Sequence, residues 1–176
     1  MSRAFVKEDA AGDEPLLIPP RAPLPAGATN YVTPRGMDLL RAEVKELEAE
    51  RERVLAEPED GERKRKLRLN QGRLNELADR IASARLVERE DPPPDRVRFG
   101  VSVTVLGLSG VNEGRHRVFE IVGVDEANPG QGRIAFAAPI AKALLGLRVG
   151  EVATLRTGRG EEELEVVSIG YRNPSG

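Results

Sequence analysis

Residues 37–84 read MDLLRAEVKELEAERERVLAEPEDGERKRKLRLNQGRLNELADRIASA, and the spacing of their apolar side chains decides the architecture. Met37, Leu40, Val44, Leu47 and Val54 follow an alternation of three and four, with Arg51 in the slot between the last two. On a helix of about 3.6 residues per turn, that alternation keeps one seam turned toward a partner. A second seam follows, with Leu67, Leu74 and Ile81 seven apart and Asn70, Leu77 and Ala84 in the complementary positions. Between them, Glu57-Pro-Glu-Asp-Gly breaks the pattern, because proline cannot continue the helical hydrogen-bond ladder and glycine favours a reversal. A connector of about five residues forces the two helices antiparallel. The prediction is a two-helix coiled-coil finger, each arm of roughly 24 residues spanning about 35 Å at about 1.5 Å per residue. Because the hairpin closes its own seam, a monomer is expected, with self-association through the coiled coil as the competing arrangement.

Working toward the N-terminus, Thr33 can accept a hydrogen bond from a free helix N–H, and Pro34 lacks the donor that a first turn cannot use. The finger is therefore expected to occupy residues 31–90. Ahead of it, residues 1–30 carry Pro15, Pro19, Pro20, Pro23 and Pro25, a spacing that favours extended conformations over helix or ladder. This segment reads as a flexible arm, with Leu16, Leu17 and Ile18 able to pack on a neighbour.

Working toward the C-terminus, Asp91-Pro-Pro-Pro-Asp is a stiff break, and residues 91–94 form the expected linker. Beyond it, β-branched runs stand at 101–105, 117–122, 133–136, 152–155 and 164–169, set off by Gly- or Asn-rich turns. One short helix begins at Pro139 and runs through Ile140, Ala143, Leu144 and Leu145 to Gly146. Residues 95–176 thus predict an antiparallel or mixed sheet of about four to six strands with one packed helix. The fold class is α+β.

Composition narrows the chemistry. With no cysteine in 176 residues there is no disulfide, thiolate nucleophile or Cys-based zinc site, which fits a reducing cytoplasm. The single histidine, His116, has no companion at metal-site or triad spacing and reads as a surface residue. A net charge of −2 argues against wholesale binding to nucleic acid or an anionic membrane. No apolar run approaches the roughly 20 residues that cross a bilayer. Gly107, Gly110 and Gly114 lack the Lys-Ser ending of a phosphate loop and read as turn residues.

Two clusters remain. Glu57, Glu59, Asp60 and Glu62 crowd the finger tip, where carboxylates can hold a hard divalent cation or simply favour the positive end of the second helix. Directly after them come Arg63, Lys64, Arg65 and Lys66, then Arg68 and Arg73. Arg65, Arg68 and Arg73 share roughly one helix face and can touch a phosphate backbone, or they are solvated charges of a coiled-coil surface.

A finger, a proline break and a small domain reading Val122-Gly-Val-Asp-Glu-Ala, Ala138-Pro-Ile-Ala-Lys-Ala-Leu-Leu-Gly, Val149-Gly-Glu-Val and the run Val166 to Tyr171 together resemble the Gre family of bacterial transcription elongation factors. Tyr31-Val-Thr-Pro-Arg-Gly-Met-Asp-Leu-Leu resembles that family's first helix start, so the likeness spans about residues 31–171. The resemblance implies a second domain similar to FK506-binding proteins that docks on RNA polymerase at its secondary channel, while the finger enters the channel near the RNA 3′ end. It also implies no catalysis by the chain itself and no cofactor of its own. In cleavage-active members, tip carboxylates help place a magnesium ion in the polymerase active site, where the metal activates water against backtracked RNA. Asp60 matches the family's tip aspartate, with Glu62 or Glu59 in place of its glutamate, although the usual Ser-Glu-Asn stretch is replaced by basic residues and each arm is about two turns short. For docking, Pro139 is in pattern, Ala137 and Ala138 replace an acidic and a hydroxyl residue, and Asp125 and Glu126 match an Asp-Glu turn. Two functions stay open, a cleavage-stimulating factor and a channel occupant that inhibits or competes. A prolyl isomerase is the alternative of a different class.

Overall fold

The computed structural model describes residues 17–173, so Leu16 and the segment before it lie outside the described residues. Helix α1 spans Pro34–Leu55 and α2 spans Gly61–Ala82. The Thr33 side chain accepts from the Gly36 N–H at 2.9 Å, with Pro34 in the first helical position, as the local chemistry requires. At the far end Asp60 caps α2 by accepting from the Arg63 N–H at 2.8 Å. Each helix has 22 residues, giving a rod of about 33 Å.

Leu40, Leu47 and Val54 of α1 and Leu77 of α2 are buried along the seam, and Met37, Val44, Leu74 and Ile81 flank it half-buried. Asn70 also lies in the seam, 2% exposed, and its Nδ2 donates to the Leu47 carbonyl at 2.8 Å while its Oδ1 has no partner. Such an amide fixes register at a cost in stability, since slipping the helices by one heptad would leave both ends of the amide without partners in an apolar seam. Arg51 turns out of the seam to hydrogen-bond Gln71 at 2.8 Å.

Strands β1 (Asn30–Val32) and β2 (Ala84–Leu86) close the base of the finger as a parallel pair, registered Asn30 to Ala84 and Val32 to Leu86. Parallel strands need a long crossover, and here the whole helical hairpin is that crossover.

The second domain is a five-stranded sheet built from β3 (Ser102–Gly107), β4 (His116–Val122), β5 (Arg133–Ala135), β6 (Val152–Thr157) and β7 (Gly160–Gly170). Their order is β5-β4-β3-β7-β6, antiparallel throughout except for the parallel pair β4–β5. Val103 and Val105 of β3, Ile121 of β4 and Leu164 and Val166 of β7 point into one core, which α3 (Pro139–Leu144) covers with Ala141 and Leu144. The class found is the one expected, α+β with a two-helix hairpin ahead of a small mixed sheet carrying one short helix. Strand β7 begins four residues before the apolar run at 164 because Glu162, which faces inward, is satisfied by the Asn112 amide at 2.5 Å and Arg117 at 3.2 Å. His116 is exposed on β4.

Two substitutions test the seam by opposite signs. Leu77→Ala should destabilise the chain by about 2–5 kcal/mol, the range for an aliphatic side chain removed from a closed core. Asn70→Leu should raise stability by about 1 kcal/mol or more, because the orphaned amide oxygen is removed and the seam becomes continuous. Urea unfolding followed by far-UV circular dichroism measures both.

Candidate functional site

At the tip, the four carboxylates do not converge. Glu57 bonds Lys66 at 2.8 Å, and that hydrogen bond, followed by the charges of Glu57, Glu62 and Asp60, holds the lysine above its usual pKa. One oxygen of Asp60 is occupied in capping α2. Glu59 and Glu62 are exposed, and among the described residues no three acidic or imidazole groups gather to hold a metal ion. Residues 57–66 contain four carboxylates, at 57, 59, 60 and 62, against four cations at 63–66, so the tip is electrically neutral.

Of the basic residues proposed to meet a phosphate backbone, Arg65 and Arg68 are exposed on α2. Arg73 is turned across the hairpin to Glu50 at 3.3 Å. The common face is therefore reduced to Arg65 and Arg68, one turn apart near the tip.

The loop read as a docking surface leads into α3. Pro139 is exposed at the first position of α3, while Ala137 and Ala138 are half-buried, with the Ala138 N–H donating to the Ala135 carbonyl at 2.9 Å. Phe136, which precedes them, meets Phe99 at 6.0 Å between ring centroids and Tyr31 of β1 at 6.3 Å, and Tyr31 also meets Phe99 at 5.6 Å. These aromatic side chains thus join the finger base to the sheet domain.

Asp125 and Glu126, read as docking candidates, lie in the joint between finger and sheet. Glu126 is 4% exposed and accepts a hydrogen bond from the Thr33 hydroxyl, while Arg35 approaches its other oxygen at 3.0 Å. The first turn of α1 carries no acidic residue of its own, so a carboxylate from the other domain supplies the negative charge that a helix N-terminus favours. A Cβ at Gly123 would come within 2.7 Å of the Tyr31 carbonyl, so that glycine is required for the domains to approach, while one at Gly36 would come within 2.8 Å of the Glu126 carboxylate and displace it. Asp125 lies between Arg21 at 3.0 Å and Arg80 at 3.5 Å. Both carboxylates are satisfied within the chain, and Glu126 is buried in the joint. Arg21, Arg35 and Arg80 were not legible as joint residues, since their partners stand between 45 and 104 positions away in sequence.

Residues 92–171 match the family model described as transcription elongation factor, GreA/GreB, C-terminal. Along 160 aligned residues the chain is 32% identical to the transcription elongation factor GreA of Helicobacter hepaticus, covering 83% of this chain and 96% of that protein. The chain belongs to the GreA/GreB family of transcription elongation factors. GreA of Brucella canis is similar at 31% identity over 154 residues, covering 80% of this chain and 96% of that one. Among solved structures, this GreA/GreB-family chain is similar to GreA factor homolog 1 of Thermus thermophilus, with 23% identity, 81% and 99% of the two chains covered and a TM-score of 0.37. The GreA/GreB factor of Nitrosomonas europaea gives 18% identity, 82% and 99% coverage and a TM-score of 0.40. Among the described residues of this family member, no helix is long and apolar enough to cross a membrane.

Glu126→Ala leaves the Thr33 hydroxyl and the Arg35 guanidinium without their acceptor and should cost about 1–3 kcal/mol. Asp60→Ala, which removes only a helix cap at the far end, should cost about 1 kcal/mol. Denaturant midpoints order the two, and amide hydrogen exchange should rise at residues 31–37 for the first and at 61–64 for the second.

Proposed function

We propose that this elongation factor binds bacterial RNA polymerase through its sheet domain, with Pro139 and the loop before it at the contact, and holds the finger in the secondary channel without delivering a carboxylate to the polymerase active site. The observation that carries the reading is the neutral tip, with Glu57 paired to Lys66 and Asp60 engaged as a cap. A carboxylate must come within about 2.1 Å of a magnesium ion to ligate it. A finger of about 33 Å whose acidic groups are balanced by adjacent cations presents little net attraction for a metal. The Arg65 and Arg68 pair would meet phosphates of the RNA 3′ end instead. The factor works as a monomer in the cytoplasm, where the polymerase is, and performs no chemistry of its own.

One observation favours the second reading, stimulation of transcript cleavage: Glu59 and Glu62 are exposed beside Asp60, whose second oxygen makes no hydrogen bond to a described residue. In that case the magnesium would belong to the polymerase and the factor would add ligands to it. Against prolyl isomerisation stands the packing of Phe99 and Phe136 on Tyr31, because these rings are engaged with one another in the joint and do not together line a proline pocket.

Added in excess to a backtracked elongation complex, the wild-type factor is expected to leave transcript cleavage at its intrinsic rate and to compete with a cleavage-active family member for the channel. A cleavage rate raised about tenfold or more, equal to about 1.4 kcal/mol of barrier, and abolished by Glu59→Ala or Asp60→Ala would replace this reading with the second.

A further inference from the structure

The segment ahead of the finger is not free where it is described. Residues 18–22 lie against both helices: Ile18 sits on Gly72 of α2, in the space a side chain there would occupy, the Ala22 carbonyl accepts from Arg80 at 2.6 Å, and Arg21 reaches Glu43 of α1. Pro19, Pro20, Pro23 and Pro25 keep the segment extended and give no N–H donors, so its hold on the finger must come mainly from side chains. The chief of these is Arg21. Its guanidinium grips Glu43 of α1 with both carboxylate oxygens, at 2.7 and 3.0 Å, and with its remaining donors holds Asp125 of the sheet domain at 3.0 and 3.3 Å. The Arg21 side chain is 19% exposed and that of Asp125 11%, so solvent screens these bonds only in part.

The position of Glu43 gives this tie its mechanical meaning. Glu126, Thr33 and Tyr31 all hold the finger at its base, and contacts gathered at one end of a rod act as a pivot. Glu43 lies nine residues from Pro34, about 13 Å up the helix. A link from there to Asp125 resists tilting with a lever arm that the basal contacts lack. Tilt matters because a ~10° swing at the base moves the end of a ~33 Å rod by about 6 Å, several times the margin within which a side chain meets a ligand.

We propose that Arg21 is a positioning residue for the finger, and that residues 17–29 are a brace fixing the angle between the coiled coil and the sheet domain. The inference goes beyond the polymerase reading and stands without it, since the brace closes within one chain and is tested on the protein alone.

The chain has no cysteine, so nitroxide labels can be placed uniquely at Glu59→Cys on the tip and Arg159→Cys on the exposed β6–β7 turn of the full-length protein. Pulsed dipolar spectroscopy should give one narrow distance for the otherwise wild-type chain. With Arg21→Ala the distribution should broaden or shift by about 6 Å or more, the displacement of a ~10° tilt, while far-UV helicity stays unchanged. Glu43→Gln, isosteric on a half-exposed helix face, should broaden it in the same way, and Arg21→Lys, which keeps the charge but loses the two-sided fork, should restore it in part. A wild-type distribution in Glu43→Gln overturns the brace, even if Arg21→Ala were to lose helicity. So does a distribution unchanged in Arg21→Ala at full helicity.

Discussion

The carboxylate of Glu126 sits at the N-terminus of a helix that belongs to a different part of the fold, and the placing of everything else follows from it. Helix α1 starts with uncapped N–H groups and no acidic residue in its first turn. Thr33 satisfies one of those groups, and Glu126 holds Thr33 and brings negative charge to the helix end. The same bond that completes the helix start therefore fastens the finger to the sheet domain. Had the first turn of α1 carried its own glutamate, the helix would have been satisfied locally and the joint would have lost its strongest polar reason to form.

A rod attached at one end turns small angular errors into large displacements, so the joint needs more than one kind of contact. Gly123 lets the two bodies approach at backbone distance, and the Tyr31, Phe99 and Phe136 rings add an apolar contact between them. Because Glu126 and Asp125 are largely buried, their charged bonds gain strength relative to surface pairs, which on their own contribute little. The polar and apolar parts of the joint thus reinforce one another.

How much of this could be read from the sequence depended on the range over which each signal acts. The heptads, the Thr33-Pro34 start, the Pro58 break and the Pro139 start are local, and the helices and α3 begin and end close to where those residues demand. The valine-rich strands were legible as β-branched runs bounded by Gly- or Asn-rich turns. Strands β1 and β2 were not, because three residues cannot display a period of two, and the first turn of β7 was hidden by glutamates that only a distant Asn112 and Arg117 make tolerable. The tip carboxylates were correctly located but their partners were not foreseen. Asp125 and Glu126 stood out as a pair and read as docking candidates by resemblance, and their place in the joint was not legible, since a buried carboxylate and a solvated one look alike until the arginines that meet it are found.

The tip and the joint also differ in what a substitution there can change. At the joint, Glu126 meets Arg35 and Asp125 meets Arg21 and Arg80, so each carboxylate has an opposite charge held by packing. At the tip, Arg63 to Lys66 follow the acidic turn within a single helical turn, and long exposed side chains can exchange partners at little cost. A neutral tip of this kind carries its charges as mobile pairs: an approaching phosphate draws the lysine and arginine side chains forward, and an approaching cation draws the glutamates.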